Sequence, residues 1–402
     1  MPLPMFVVLL TVGIDAIGVG IVLPVMPDLI ASTGVSDIAG AALWGGVLSS
    51  SYAVGQFICS PVLGALSDRF GRRPVLLVSL AVITLDFVVM ALAQSIWVLL
   101  AARIVAGVAA ATYATALAFV ADITDEDERA AGFGRLSAAM GLGLVLGPVM
   151  GGWVGTGDPR GPFWLAAAFA GANFVLGYLV LPETLPVERR TRFSLCKATP
   201  FTQFREIRRL PGLAPLITVF GLLQVSAYVY PAIWAFYTQA SLGWEAGTIG
   251  LSLAYYGVVL AFAQAWLGPK LVERFGAGRT ILAGLCLGLA CLIGYGTAPP
   301  TLVVWILTPI NAIASFAMPT LQSVMSSSTD RQTQGRLQGV LGSVTAVATI
   351  LSPLIMTQAF YWGTNDEAGR DLAGAPFLLA AVLSATAIIR FLRITSNSGS
   401  IR

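Results

Sequence analysis

Three charged residues lie where charge is costly to keep. Asp15, Asp86 and Arg103 each fall inside a long apolar stretch of a 402-residue chain that is 56% hydrophobic and 11% charged. An ionised side chain at the centre of a helix in lipid costs at least about 2.5–3.5 kcal/mol, so such residues are normally paired or functional. Asp15 lies midway along the first apolar stretch, and Asp86 about 16 Å into the third at 1.5 Å per residue. Arg103 enters the fourth from the opposite side. A carboxyl deprived of water holds a proton more tightly and a nearby cation loosens it again, which together make a proton switch. One reading is that Asp15 or Asp86 carries a coupling proton whose affinity Arg103 sets. The other is a fixed Asp–Arg pair that staples helices.

The elements that must place these residues are membrane helices. The mean hydropathy is +0.82, and apolar stretches reach spanning length with charge gathered between them. The spacing predicts an all-α membrane protein with twelve spans, over roughly 4–27, 41–63, 75–93, 96–121, 131–155, 162–181, 213–238, 246–271, 279–297, 301–327, 335–360 and 374–392. The first has no basic start and contains Asp15, so it reads as a span and not as a cleaved leader. The polar stretch 182–212 divides the spans into an N-terminal six-helix bundle (1–181) and a C-terminal one (213–402), and reads as a cytoplasmic linker. A shift of 205 residues lays Asp68-Arg69-Phe70-Gly71 on Glu273-Arg274-Phe275-Gly276, Thr124-Asp125 on Thr329-Asp330, and Gly147-Pro148 on Ser352-Pro353. One offset for three landmarks implies duplicated halves of parallel topology, with a substrate expected near mid-membrane between them.

Of the 23 Lys and Arg, only Arg160 and Arg370 fall in loops of the outer side, and Arg103 within a span. The rest mark one face, so both termini are expected in the cytoplasm. The net charge of +3 then reflects the inner membrane face, and no nucleic-acid partner is implied. Four cysteines (Cys59, Cys196, Cys286, Cys291) lack metal spacing and there is no histidine, so no metal, cofactor or disulfide framework is expected. With no nucleophile–base pair either, no enzyme is expected.

Further residues suit moving parts. The loop Gly64-Ala65-Leu66-Ser67-Asp68-Arg69-Phe70-Gly71-Arg72-Arg73-Pro74 combines glycines for a tight reversal with an aspartate able to face a helix N-terminus. Arg69 would pair with Asp122 or Asp125 in a charged latch that gates the inner side; the plainer reading is a positive-inside loop. The fifth span carries Gly134, Gly143, Gly147, Pro148, Gly151 and Gly152, suited to a close, bent interface for a rocking motion or to generic small-residue packing. Gln56, Gln224, Gln264, Asn311, Gln322 and Gln338 would meet substrate or bridge helices. Tyr228, Tyr230, Trp234, Phe236, Tyr237, Tyr255, Tyr256 and Trp266 gather in the second half and would suit a flat apolar ligand. The residues expected to bind substrate are Gln56, Tyr228, Trp234, Tyr237, Gln264, Asn311 and Gln322.

These patterns resemble the major facilitator superfamily, and more closely its tetracycline/proton antiporter branch among the twelve-helix drug:proton antiporters. The likeness rests on Asp15-Ala16-Ile17-Gly18-Val19-Gly20 with Pro24 and Pro27, Tyr52-Ala53-Val54-Gly55-Gln56, the Gly64–Pro74 loop, Leu85-Asp86-Phe87, Arg103 with Gly107, Ala121-Asp122-Ile123-Thr124 and the Gly134–Gly152 pattern. Pro319-Thr320-Leu321-Gln322-Ser323-Val324-Met325 and Gln334-Gly335-Arg336-Leu337-Gln338-Gly339 extend it over nearly the whole chain. The resemblance implies two pseudo-symmetric bundles and proton-coupled efflux of small amphipathic molecules, tetracycline-like or multidrug, by alternating access. It also implies a monomer in a bacterial inner membrane, and makes Asp15, Asp86 and Arg103 counterparts of charged residues that matter for transport. A symporter or facilitator of a metabolite or lipid is the alternative within the same fold. Where that branch places a histidine on helix 8 this chain has Leu260, and near its acidic residue on helix 9 stands Gly288. Coupling is therefore expected to rest on the first half.

Overall fold

The structure is a computed structural model that describes residues 3–110, 112–190, 212–297, 299–365 and 372–398. Most of the expected linker, with Cys196, lies outside the described residues. Within them every regular element is helical. The first half contains α1 (Leu3–Ala31), α2 (Ile38–Phe70), α3 (Arg72–Leu92), α4 (Ile96–Ala109), α5 (Thr112–Ile123), α6 (Arg129–Gly155) and α7 (Gly161–Val180). The second half contains α8 (Ala214–Ala227), α9 (Val229–Leu242), α10 (Ala246–Phe262), a π-helical turn (Ala263–Leu267) and α11 (Gly268–Phe275). It continues with α12 (Ala277–Gly296), α13 (Thr301–Ala314), α14 (Ala317–Ser327), α15 (Arg331–Thr364) and α16 (Ala375–Ser398).

Eleven helical stretches among the described residues are long and apolar enough to cross a membrane. The expected second span is the exception. α2 has 33 residues, about 50 Å of helix, but Gly45, Gly46, Ser49, Ser50, Ser51 and Gln56 dilute its apolar content. Four spans are made of more than one helix: α4–α5, α8–α9, α10–α11 through the π-helical turn, and α13–α14.

The chain forms two compact units: Met1–Ser36, Val47–Pro200 and Glu245–Ala254 in unit 1, and Asp37–Gly46, Phe201–Trp244 and Tyr255–Arg402 in unit 2. Unit 1 packs Met5, Val8, Leu76 and Phe119 into its core. Unit 2 does the same with Phe220, Leu285, Leu321 and Phe391.

The duplication read from the 205-residue shift reappears in the backbone. Gly71 and Gly276 hold φ of 109° and 80° with ψ of 160° and 157°, a left-handed conformation open to glycine without strain. Their N–H groups close the preceding helices on the matched carbonyls of Ser67 and Val272, at 3.1 and 2.9 Å. Ala110, the C-cap of α4, and Ser315, the C-cap of α13, also differ by this shift.

Candidate functional site

α3 and α4 form a hairpin whose register brings its charges together. Asp86 sits six residues before the end of α3 and Arg103 seven after the start of α4, so both lie about 10 Å from the connecting turn. Ser95 starts α4 by accepting the N–H of Trp97 at 3.4 Å. Arg103 Nη2 donates to Asp86 Oδ2, and touches Met90 Sδ one helical turn along α3. Asp86 is 5% exposed. On the other side, the Arg103 guanidinium stands 5.6 Å from the ring centre of Tyr52 on α2. Gly107, one turn beyond Arg103, permits this approach: a Cβ there would overlap the Tyr52 carbonyl.

The pair is half satisfied. Asp86 Oδ1 and Arg103 Nε are both buried and have no hydrogen-bond partner. A bidentate clasp, the strong geometry for Arg with carboxylate, would engage both carboxylate oxygens. Asp15 on α1 is not joined to the pair: no hydrogen bond or ion pair reaches it among the described residues. One turn earlier on α1, Thr11 Oγ1 donates to Asn173 Oδ1 of α7 at 3.1 Å, leaving the buried Asn173 Nδ2 unpartnered.

At the opposite end of α3, the charged loop is a knot inside unit 1. Arg72 Nη1 meets Asp68 Oδ1 at 2.5 Å and Ser67 Oγ at 3.2 Å, while its Nε reaches Asp122 Oδ2 at 3.2 Å. The cation on Asp122 is thus Arg72, whereas the sequence reading placed Arg69 there; Arg69 instead lies 5.0 Å from the Phe70 ring centre. The reason is the Gly71 turn, after which Arg72 opens α3 one helical turn from Asp68. Glu183, not singled out beforehand, accepts the Arg72 N–H at 2.9 Å and the Leu185 N–H at 3.0 Å. It serves as the missing cap of α3. It packs so closely on Gly71 that any Cβ there would strike it. Thr184 donates to Asp122, and Arg73 to the Tyr178 carbonyl at 2.6 Å. A Cβ at Gly64 would meet open space.

On α6 the glycines face two ways. Cβ atoms at Gly143, Gly147 and Gly151 would overlap the backbone of α1 around Gly13, Ile17, Gly20 and Ile21. Gly152 meets the Ala246 carbonyl at the start of α10, and the Pro148 carbonyl lies against Gly250. Gly134 stands apart, with nothing within 4 Å.

The expected substrate residues disperse. Tyr237 is fully buried and its hydroxyl donates to the Tyr295 carbonyl at 2.7 Å. Trp234 packs with it in a cluster of Tyr230, Tyr295 and Phe377. Asn311 accepts from the Tyr230 hydroxyl at 3.0 Å, and Gln224 donates to Thr345 at 2.8 Å. These side chains hold unit 2 together. Gln56 and Gln264 are exposed, Gln264 within the π-helical turn; Gln322 and Tyr228 are half-buried, Tyr228 at the α8–α9 junction. Tyr52, Met90 and Glu183 are the site residues that sequence reasoning did not single out. The Tyr52–Gln56 spacing and the Pro182-Glu183 helix exit were the available signals.

Apolar spans repeated in two halves, with matched glycine turns at Gly71 and Gly276, fit one class of membrane transporter. Residues 8–353 and 216–399 match the Major Facilitator Superfamily, and the chain belongs to it. Its place there is with the tetracycline resistance proteins. It is 42% identical over 359 residues to the class C protein of Escherichia coli, covering 89% of each chain. It is 37% identical over 355 residues to the class G protein of Vibrio anguillarum, covering 88% of this chain and 89% of that one. A bacterial homologue of the human lysosomal transporter Spinster, inward-facing and unoccupied, shares the fold with a TM-score of 0.80 at 16% identity, over 99% of this chain and 97% of that one.

Proposed function

We propose that this chain expels small amphipathic organic molecules, tetracyclines among them, across a bacterial inner membrane in exchange for protons. The observation that carries this reading is the half-satisfied Asp86–Arg103 pair. Breaking a buried ion pair by neutralising one partner strands the other charge, at about 3–5 kcal/mol. A proton arriving on the unpartnered Asp86 Oδ1 does this reversibly. Arg103 is then released to engage the other carboxylate carried on a span of the first half, Asp15. Proton uptake thereby changes which helices the guanidinium ties together, α3 before and α1 after. A change of helix contacts driven by a proton is what coupling requires.

With no histidine in the chain, the first half supplies the coupling carboxylates. The Asp68–Arg72–Asp122 knot would steady one conformation, with both termini in the cytoplasm and the monomer as the working unit. The test is reconstitution in liposomes with an imposed pH gradient, following lumenal pH after addition of tetracycline. Wild type should show drug-evoked proton movement, Asp86→Asn should lose it, and Asp15→Asn should weaken it. Full exchange by Asp86→Asn would remove the mechanism.

A further inference from the structure

Unit 2 contains an open groove of about 570 Å³ lined by Tyr255, Trp305, Ile306, Pro309 and Ile310, with Tyr255 41% and Ile306 53% exposed. That volume lies within the range of small-molecule sites. Tyr255 belongs to α10 and the others to α13, and all lie within about 14 Å of the helix ends at Ala246 and Thr301. The wall is aromatic. Trp305 sits 6.0 Å from Tyr255 and 5.4 Å from Trp244 between ring centres. Trp244 is fixed by the left-handed Gly243 that ends α9, its N–H returning to the Thr238 carbonyl at 3.2 Å.

The polar atoms of this wall differ from those of the surrounding aromatics. Tyr230, Tyr237, Tyr256 and Tyr295 each engage their hydroxyl within unit 2, and Trp244 Nε1 donates to Thr301. The Tyr255 hydroxyl and Trp305 Nε1 have no such partner among the described residues. A third group joins them. Pro309 has no N–H to offer the carbonyl of Trp305, four residues earlier, so that rung of the helical ladder is missing. The groove is therefore walled by two aromatic residues whose N–H and hydroxyl have no partner among the described residues, beside a carbonyl that lacks its i+4 donor. An acyl chain would leave all three polar groups unmet. A planar aromatic molecule with a protonated amine or hydroxyls at its edge satisfies them, and a cation is further attracted to the ring faces.

We propose that this groove is a binding slot for planar, donor-bearing aromatic molecules, gripped by the Trp305 and Tyr255 rings and by the Trp305 carbonyl that Pro309 frees. The proposal rests on the drug-export reading and names a place where the cargo lodges.

The experiment is equilibrium dialysis of radiolabelled tetracycline against the purified full chain in detergent, with wild type, Trp305→Ala, Trp305→Phe and Pro309→Ala. Melting curves are recorded for each, with phospholipid carried through purification measured alongside. We expect the dissociation constant to rise tenfold or more for Trp305→Ala and severalfold for Pro309→Ala, which restores the helical bond. Trp305→Phe should fall between wild type and Trp305→Ala. Unchanged affinity in a folded Trp305→Ala overturns the slot, as does unchanged affinity accompanied by loss of a bound phospholipid, which marks a lipid groove. The export reading fails separately. If wild type moves no protons in response to drug while Trp305→Ala still loses binding, the slot stands and the antiport does not.

Discussion

The glycines of α6 allow a test in which one substitution type has opposite signs at two positions of one helix. A Cβ built at Gly147 lies 2.6 Å from the Ile17 carbonyl oxygen and 2.7 Å from Gly20 Cα, whereas carbon contacts settle at about 3.5–4.0 Å. Both obstacles are backbone atoms, so no side-chain rotation relieves them, and α1 and α6 must part by roughly 1 Å. Gly143 and Gly151 lie against the same face of α1, so the separation spreads along the seam. Overpacking of this kind costs about 1–3 kcal/mol. At Gly134 nothing lies within 4 Å, and alanine there gains about 0.8–1 kcal/mol of helix propensity. Gly147→Ala should therefore melt below wild type and Gly134→Ala at or above it; the propensity gain is common to both, so the spread is the overpacking cost of about 1–3 kcal/mol. Thermal unfolding in detergent reads the difference, with drug-evoked proton flux measured alongside. If Gly147→Ala melts at or above wild type, or both variants shift the same way, the close α1–α6 seam is wrong.

Other expectations concern the charged turn and the second-half cap. Arg72→Lys keeps the charge but cannot reach Ser67, Asp68 and Asp122 with one planar group; transport turnover should fall while tetracycline affinity holds, and unchanged turnover would deny the knot a gating role. Glu183→Ala should cost about 1 kcal/mol by uncapping α3, with Glu183→Gln recovering part of it through its amide oxygen; equal melting of all three proteins would show that the cap contributes nothing. Asp330 caps α15, and bonds from the Thr333 hydroxyl and N–H hold its carboxyl below the ordinary value of 3.8. A depressed carboxyl stabilises above its unfolded value and loses this as pH falls. The melting deficit of Asp330→Ala should accordingly be full at pH 7 and shrink below pH 3.8; a deficit independent of pH would contradict the cap.

What the sequence made legible, and what it did not, divides along a physical line. Residue type and depth in the membrane were readable: Asp15, Asp86 and Arg103 stand out because charge is rare in apolar helices, and the 205-residue shift located Gly71 and Gly276 in the same backbone state. Direction around the helix axis was not. In lipid both faces of a helix are apolar, so hydropathy carries no period that tells one side from another. Hence the choice between Asp15 and Asp86 as partner of Arg103 stayed open until the hairpin register was seen. Hence too Trp234 and Tyr237, expected at a substrate surface, point into a packed cluster, and Arg69 was favoured over Arg72 without knowledge of the Gly71 turn. Small residues supply the missing direction. The spacing of Gly143, Gly147 and Gly151 defines the side of α6 that touches α1, and Gly13, Ile17, Gly20 and Ile21 define the reciprocal side of α1. At 100° per residue Asp15 falls off that seam, on the side of α1 turned away from α6. In a lipid-embedded chain, the glycine pattern thus orients the charges that composition can only locate.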